Sequence, residues 1–154
     1  MPTQRRQREW RGEAGAELVE MALTLPLILM VLLGLSDCGL MFQKYKVVNN
    51  SAREGARYAA AHPNTPASEV QTRVLNYIQG SGLPTAAGNP TVVVTPTTLT
   101  SGPGTWQAQQ VDVAYVHDYS FFAPLASWFG GTFTSATLNA RATMRIESNV
   151  TGLP

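Results

Sequence analysis

The chain opens on a polar, arginine-containing stretch and then loses its charge. Met21 to Leu35 holds no ionisable side chain, and the apolar character continues past Asp37 to Phe42. Those 22 residues make roughly 33 Å of helix at about 1.5 Å per residue, enough for a hydrocarbon core about 30 Å thick. The run from Leu25 to Leu33 is apolar on every face, as a lipid-facing helix requires; a buried helix of a globular domain is the alternative. Pro26 is tolerable inside such a helix, with a slight kink.

Beyond Phe42 the pattern becomes one-sided. Val48, Ala52, Gly55, Ala56 and Ala59 recur at helical spacing, which carries the same helix out to about Ala61 with a narrow face of small residues. Such a face suits packing on the domain's own sheet, and equally the close approach of another helix in an assembly. Glu54 and Arg57 stand at i, i+3 and can pair. His62-Pro63-Asn64-Thr65-Pro66 breaks the helix. A second is expected over Ala67 to Gln79, with Thr65 as its N-cap and Pro66 in its first position. Val70, Val74, Leu75 and Ile78 form its apolar stripe, and Gly80 and Gly82 stop it. A loop follows from Leu83 to Pro90.

Three strands are predicted next. Thr91 to Thr98 is β-branched, and Pro96 marks it as an edge or a strand end. Gln110 to His117 alternates, with Val111, Val113 and Tyr115 on one side. Thr132 to Glu147 is the clearest: Ala136, Leu138, Ala140, Ala142, Met144 and Ile146 face one way, and Ser135, Thr137, Asn139, Arg141, Thr143, Arg145 and Glu147 the other. Between the last two strands, Tyr119 to Gly131 reads as a short helix or turn. Its Phe121, Phe122, Trp128 and Phe129 are either core or a patch that meets a membrane or a partner. Helices followed by a run of strands give an α+β class, with a small antiparallel three-stranded sheet after a long N-terminal helix.

Composition narrows the chemistry. A net charge of +1 provides no basic field for nucleic acid. Charged residues are 14% of the chain, which fits a lipid-dissolved segment joined to a Thr-, Ser- and Gly-rich exterior. The single cysteine, Cys38, excludes an intramolecular disulfide, and His62 and His117 stand 55 positions apart without a metal-ligand spacing. There is no nucleophile elbow, P-loop or dinucleotide-binding turn, and Asp112 and Asp118 flank His117 on a strand whose successive side chains alternate faces. The chain is therefore not expected to be an enzyme, and no cofactor or metal is implied.

Two carboxylates bracket the apolar run. Glu20 abuts its start, and Asp37 lies 17 positions on, roughly 25 Å along the helix. Carboxylates at such depths are costly unless paired or near headgroups, so both can simply sit at the two interfaces. Gly15-Ala16-Glu17-Leu18-Val19-Glu20 offers a sharper reading, because a glutamate five residues after a glycine, just before a hydrophobic helix, resembles type IV prepilins. That likeness implies cleavage after Gly15, leaving Ala16 first, with Glu20 meeting the new amine of a neighbouring subunit and fixing register. Gly12 and Glu17 repeat the spacing less favourably.

Several segments together resemble the TadE-like pseudopilins of tight-adherence (Flp) pilus systems. They are Arg11-Gly12-Glu13-Ala14-Gly15-Ala16-Glu17-Leu18-Val19-Glu20-Met21-Ala22-Leu23, Leu25-Pro26-Leu27, Gly34-Leu35-Ser36-Asp37-Cys38-Gly39 and Asn50-Ser51-Ala52-Arg53-Glu54-Gly55-Ala56-Arg57-Tyr58-Ala59. Pro124-Leu125, Gly130-Gly131 and Ala140 to Glu147 extend the likeness to the far end. Leu40 stands where members often carry arginine, so no ion pair at Asp37 is implied, and Met21 replaces the usual aromatic after the glutamate. The resemblance implies a pseudopilin or minor pilin with a basic leader over 1–15, a transmembrane helix over 16–42 and an extracytoplasmic α+β domain over 43–154. It places the protein in the bacterial inner membrane, single-pass, with a cytoplasmic N-terminus and a periplasmic C-terminal domain, or outside the cell within the fibre. Its implied partners are the major Flp pilin, a sister pseudopilin, the prepilin peptidase and the inner-membrane assembly platform. Removing 1–15 takes away four arginines against two glutamates and moves the net charge from +1 to −1.

Two rival readings remain at the level of sequence. One is an uncleaved, membrane-tethered binding module that recruits partners through its sheet or its Phe121–Phe129 patch. The other is a lipoprotein anchored at Cys38, against which Asp37 stands where the lipidation box requires a small neutral residue. The positive-inside rule decides nothing, since Lys44, Lys46, Arg53 and Arg57 follow the span as four arginines precede it.

Overall fold

The computed structural model describes residues 5–86, 89–101, 104–128, 130–132 and 134–146. It is α+β, as the sequence pattern requires: α1 (Arg5–Ala61), α2 (Ala67–Gly80), β1 (Thr91–Ser101), β2 (Gly104–Asp118), α3 (Phe122–Trp128) and β3 (Ser135–Arg145). The described residues form two compact units. One combines α1 up to Cys38 with Ser120–Thr134, and the other runs from Gly39 to Tyr119 and resumes at Ser135.

In the first unit α1 is long and apolar enough to cross a membrane and buries none of its most apolar stretch within the protein. Leu23 is 72% exposed and Leu35 64%. The few hydroxyls in this stretch satisfy themselves on the helix: Thr24 Oγ1 donates to the Glu20 carbonyl at 2.9 Å and Ser36 Oγ to the Leu32 carbonyl at 3.0 Å. Back-bonding of this kind removes loose donors from a segment that water cannot reach. The helix is α-helical through Pro26. One long apolar N-terminal helix of this kind points to a single-pass membrane protein.

The second unit is a three-stranded antiparallel sheet in the order β1-β2-β3, covered by α2 and the C-terminal part of α1. Its register follows from the alternation. Val111 pairs with Ala142, Val113 with Ala140 and Tyr115 with Leu138, so these three buried residues of β2 each meet a buried residue of β3. Asp112 and Arg141, also directly opposite, are on the wet face and form an ion pair there. β1 is an edge strand, which explains how Pro96 is accommodated opposite Gln109. From above the sheet, Val48, Ala52, Ala56 and Ala59 of α1 join Val70, Val74 and Ile78 of α2 in one core cluster with these strand residues. Each fully buried Val or Ile contributes about 1.5–3 kcal/mol relative to exposure.

Some boundaries differ from those expected. Pro66, not Thr65, is the N-cap of α2; it has extended backbone and no side-chain capping bond. Proline presets that extended geometry, and the Pro66 carbonyl accepts the Glu69 N–H at 3.0 Å without help from Thr65. Gly80 lies inside α2, and Gly82, with φ +80°, supplies the left-handed residue that lets the chain leave the helix. β1 and β2 run longer than expected because their pairing continues to Ser101 opposite Gly104. β3 starts at Ser135, so Thr132 and Thr134 are outside it, and Glu147 lies outside the described residues. Phe121 is 47% exposed, so it is not a core residue; the side chains of Trp128 and Phe129 lie outside the described ones.

Candidate functional site

The candidate residues lie along α1, and the structure treats each differently. Gly15 and Ala16 are exposed on a helical backbone, and a Cβ added at Gly15 would meet nothing within 4 Å. Glu20 is exposed five residues on, and no partner for its carboxylate is found among the described residues. It stands at the edge of the apolar stretch of α1.

Asp37 is the opposite case. It is 1% exposed, although Ser36 and Cys38 on either side of it are exposed. Its Oδ1 accepts the backbone N–H of Ser120 at 3.2 Å, and its Oδ2 accepts those of Phe121 at 3.0 Å and Phe122 at 2.6 Å. The carboxylate therefore caps the start of α3, satisfying donors that the helix cannot satisfy internally. The carboxylate thus points into the protein, toward these amides. Below it, Phe122 is 3.9 Å from the position of a Cβ built on Gly34, so the glycine leaves room for the ring.

The small-residue face is occupied inside the second unit. Ala52 and Ala56 are fully buried and Ala59 is 3% exposed. At Gly55 a Cβ would stand 2.5 Å from Val74 Cγ2 and 3.3 Å from Val111 Cγ1. Only a hydrogen fits there, because α1 meets α2 and β2 at the same place. Of the two readings of this face, packing on the chain's own sheet and second helix is the one present in the structure.

Three polar links hold this packing. Glu54 accepts from Arg57, as expected, at 3.0 and 3.2 Å, and also from Arg73 of α2 at 3.1 Å. The Arg57 hydrogen bond is the main cause holding the Glu54 carboxyl below its ordinary value; burial works against it and Arg73 adds to it. Tyr58 donates to Glu69, a second α1–α2 link, and that bond pushes the phenol up. Lys44 donates to His117 Nδ1 at 2.9 Å, which fixes the unprotonated nitrogen of a 1% exposed ring at the end of β2. At Asp112 burial alone would raise the carboxyl, but hydrogen bonds from Arg141 and Gln110 outweigh it and the net shift is downward.

Sequence reading did not find Arg73, Lys44 with His117, or the three amides around Ser120. The first two pairings join elements distant in sequence, and backbone amides have no residue signature. A shallow hollow of about 550 Å³ on the outer face of the sheet is lined by Thr91, Val93, Asp112, Asn139 and Arg141 among others. Its charged pair is already mutually satisfied. Among the described residues no three of His, Cys, Asp and Glu gather as a metal site would require.

No curated protein and no solved structure matches this chain significantly. The model of one family, described as TadE-like protein, matches residues 15–57, a stretch that begins at Gly15, ends just past Gly55 and contains both Glu20 and Asp37. Over that helix the chain is similar to the TadE-like family.

Proposed function

We propose that the protein is a pseudopilin, or minor pilin, that acts structurally in building a tight-adherence pilus. The observation that supports this best is the position of the family match: it starts at Gly15, the residue after which a prepilin peptidase would cut. Glu20, exposed and without a partner for its carboxylate among the described residues, adds to it. After cleavage Ala16 would carry the new amine, with Glu17 beside it, and Glu20 would accept the amine of a neighbouring pilin helix. In a low-dielectric setting such a pair fixes register, because a one-turn slip would leave both charges unpaired. The N-terminus would be cytoplasmic before processing and the second unit periplasmic. The partners would be the major Flp pilin, a sister pseudopilin, the peptidase and the inner-membrane assembly platform. Asp37 would act indirectly, by holding α3 to the helix that packs.

Intact-mass measurement or N-terminal sequencing of the membrane-extracted protein tests the processing step. A chain starting at Ala16 is expected. A chain retaining Met1 or Pro2 would overturn it and leave a tethered module. For the register role, Glu20→Ala should impair incorporation into the pilus machinery at an unchanged membrane level, and normal assembly in that variant would sink the assignment.

A further inference from the structure

We infer that α3 and its flanks form an interfacial membrane contact, with Phe121 set against phospholipid at the boundary between headgroups and acyl chains. The inference rests on the membrane-spanning reading of α1 and is independent of pilus assembly.

The first observation is position along the helix. Asp37 lies 16 residues beyond Met21, about 24 Å along the axis, in the last turns of the apolar run. The start of α3 is fixed at that level by three hydrogen bonds to Asp37, and the Phe122 ring reaches one turn further back, beside Gly34. Leu35, in the same turn of α1, is 64% exposed, and Phe121 is 47% exposed. The exposed aromatic is therefore continuous with the apolar girdle of α1, and whatever covers that girdle at this depth also meets Phe121. For a spanning helix that cover is lipid.

The second observation is composition. Ser120 to Thr134 contains no charged residue and four of the five phenylalanines of the chain, along with Trp128. Aromatic side chains concentrate at the membrane–water interface, where an apolar ring meets a partly hydrated layer.

The third is the backbone. Irregular chain at membrane depth is tolerated only where its polar groups are satisfied by protein. Asp37 takes the N–H groups of Ser120, Phe121 and Phe122, and Pro124 has none to offer. At the other end Ser127 Oγ donates to the Pro124 carbonyl at 2.7 Å and the Gly130 N–H to the Ser127 carbonyl at 3.1 Å. A buried aspartate is thus used to pre-satisfy a turn that water would otherwise have to solvate.

The test uses the full chain in vesicles of phosphatidylethanolamine and phosphatidylglycerol. On a Cys38→Ser background, single cysteines are placed by Phe121→Cys, Ser127→Cys, Leu27→Cys and Thr98→Cys, then spin-labelled. Collision with oxygen, which favours lipid, is compared with collision with a water-soluble nickel chelate. Leu27 reports the apolar run and Thr98 the exposed strand. The label at 121 should favour oxygen several-fold more strongly than the label at 98, and 127 should follow it. Equal access to the chelate at 121, 127 and 98 would overturn the inference. So would shielding of 121 and 127 from both reagents, which would mean a protein partner or a second copy covers the patch. A water-accessible label at 27 would overturn the span itself, and the inference with it. The site at 127 keeps the result readable if replacement of Phe121 disturbs α3.

Discussion

Gly55→Ala sets two well-known effects against each other. Alanine is the better helix former by about 1 kcal/mol, so on an open helix the change would stabilise. At Gly55 the new methyl would stand 2.5 Å from Val74 Cγ2 and 3.3 Å from Val111 Cγ1. Ordinary carbon contacts begin near 3.5 Å, so α1 and α2 must part by up to an ångström or Val74 must leave its rotamer. Neither is easy: Val74 is fully buried, its β-branched side chain has little rotamer freedom, and Val111 behind it is also fully buried. Overpacking a filled core costs about 1–3 kcal/mol. A contact as close as 2.5 Å puts the cost in the upper half of that range, so against the propensity gain the net loss is about 1–2 kcal/mol, or roughly 5–15 °C in the unfolding midpoint of a unit this size. Thermal unfolding of the full chain in detergent micelles, followed by the strand signal in circular dichroism, reads it. Adding Val74→Ala should relieve the clash, so the double variant should lose less than the sum of the singles, with a coupling of about 0.5–3 kcal/mol. A Gly55→Ala protein as stable as the parent would refute the close approach of α1 to α2 and β2.

The remaining predictions concern the same unit. Glu54 and Asp112 both titrate below their ordinary values of 4.5 and 3.8, so their stabilisation is fully present above those values and is lost as pH falls through the lower folded ones. Acid titration should show a stability loss beginning below about pH 4.5, flattened in Glu54→Gln and Asp112→Asn, each pair contributing about 0.2–1 kcal/mol; an acid limb unchanged in both variants would exclude them as its source. Gly82→Ala forces a side chain onto φ +80° and should cost about 1–2 kcal/mol. Gly80→Ala, inside α2 with open space around it, should be neutral or stabilising by up to about 1 kcal/mol. Paired unfolding midpoints of the two variants check the contrast.

What the sequence revealed, it revealed through periodicity. The alternation of Ala136 to Met144 placed β3 and its buried face, and the spacing of Val70, Val74 and Ile78 placed the stripe of α2, because burial acts on side chains at fixed repeats. The first part of α1 was legible by the opposite sign, an uninterrupted apolar run with no polar face. The stripe Ala52, Gly55, Ala56, Ala59 was visible but its partner was not, since small residues permit the approach of any backbone. It took Val74 and Val111 to show that the partner is within the chain. Phe121 shows a different gap: an aromatic in a loop does not announce whether it turns inward, and this one stays half-exposed. Asp37 was the least legible of all. Its partners are 83 to 85 positions away and are main-chain amides, which every residue but proline possesses.

That hidden partnership separates two carboxylates which look alike in the sequence. A carboxylate at the centre of a membrane helix costs on the order of 2.5–3.5 kcal/mol, and less toward the interface. Asp37 offsets its cost with three hydrogen bonds to a charged acceptor, each worth about 1.5–3 kcal/mol. Glu20 has no such offset among the described residues, so its cost must be met by headgroups or by another chain. The two should therefore fail differently. Asp37→Ala leaves the amides of Ser120, Phe121 and Phe122 without their acceptor, at about 1–3 kcal/mol for each left unsatisfied, and α3 should come away from α1. Hydrogen exchange would show those three amides losing protection, and protease would cut within 120–134. Glu20→Ala should leave the same protection untouched, because among the described residues no hydrogen bond or ion pair involves its carboxylate. If the two variants lost protection at 120–122 equally, or if Asp37→Ala lost none, the division between an aspartate that holds the fold and a glutamate left for a partner would be wrong.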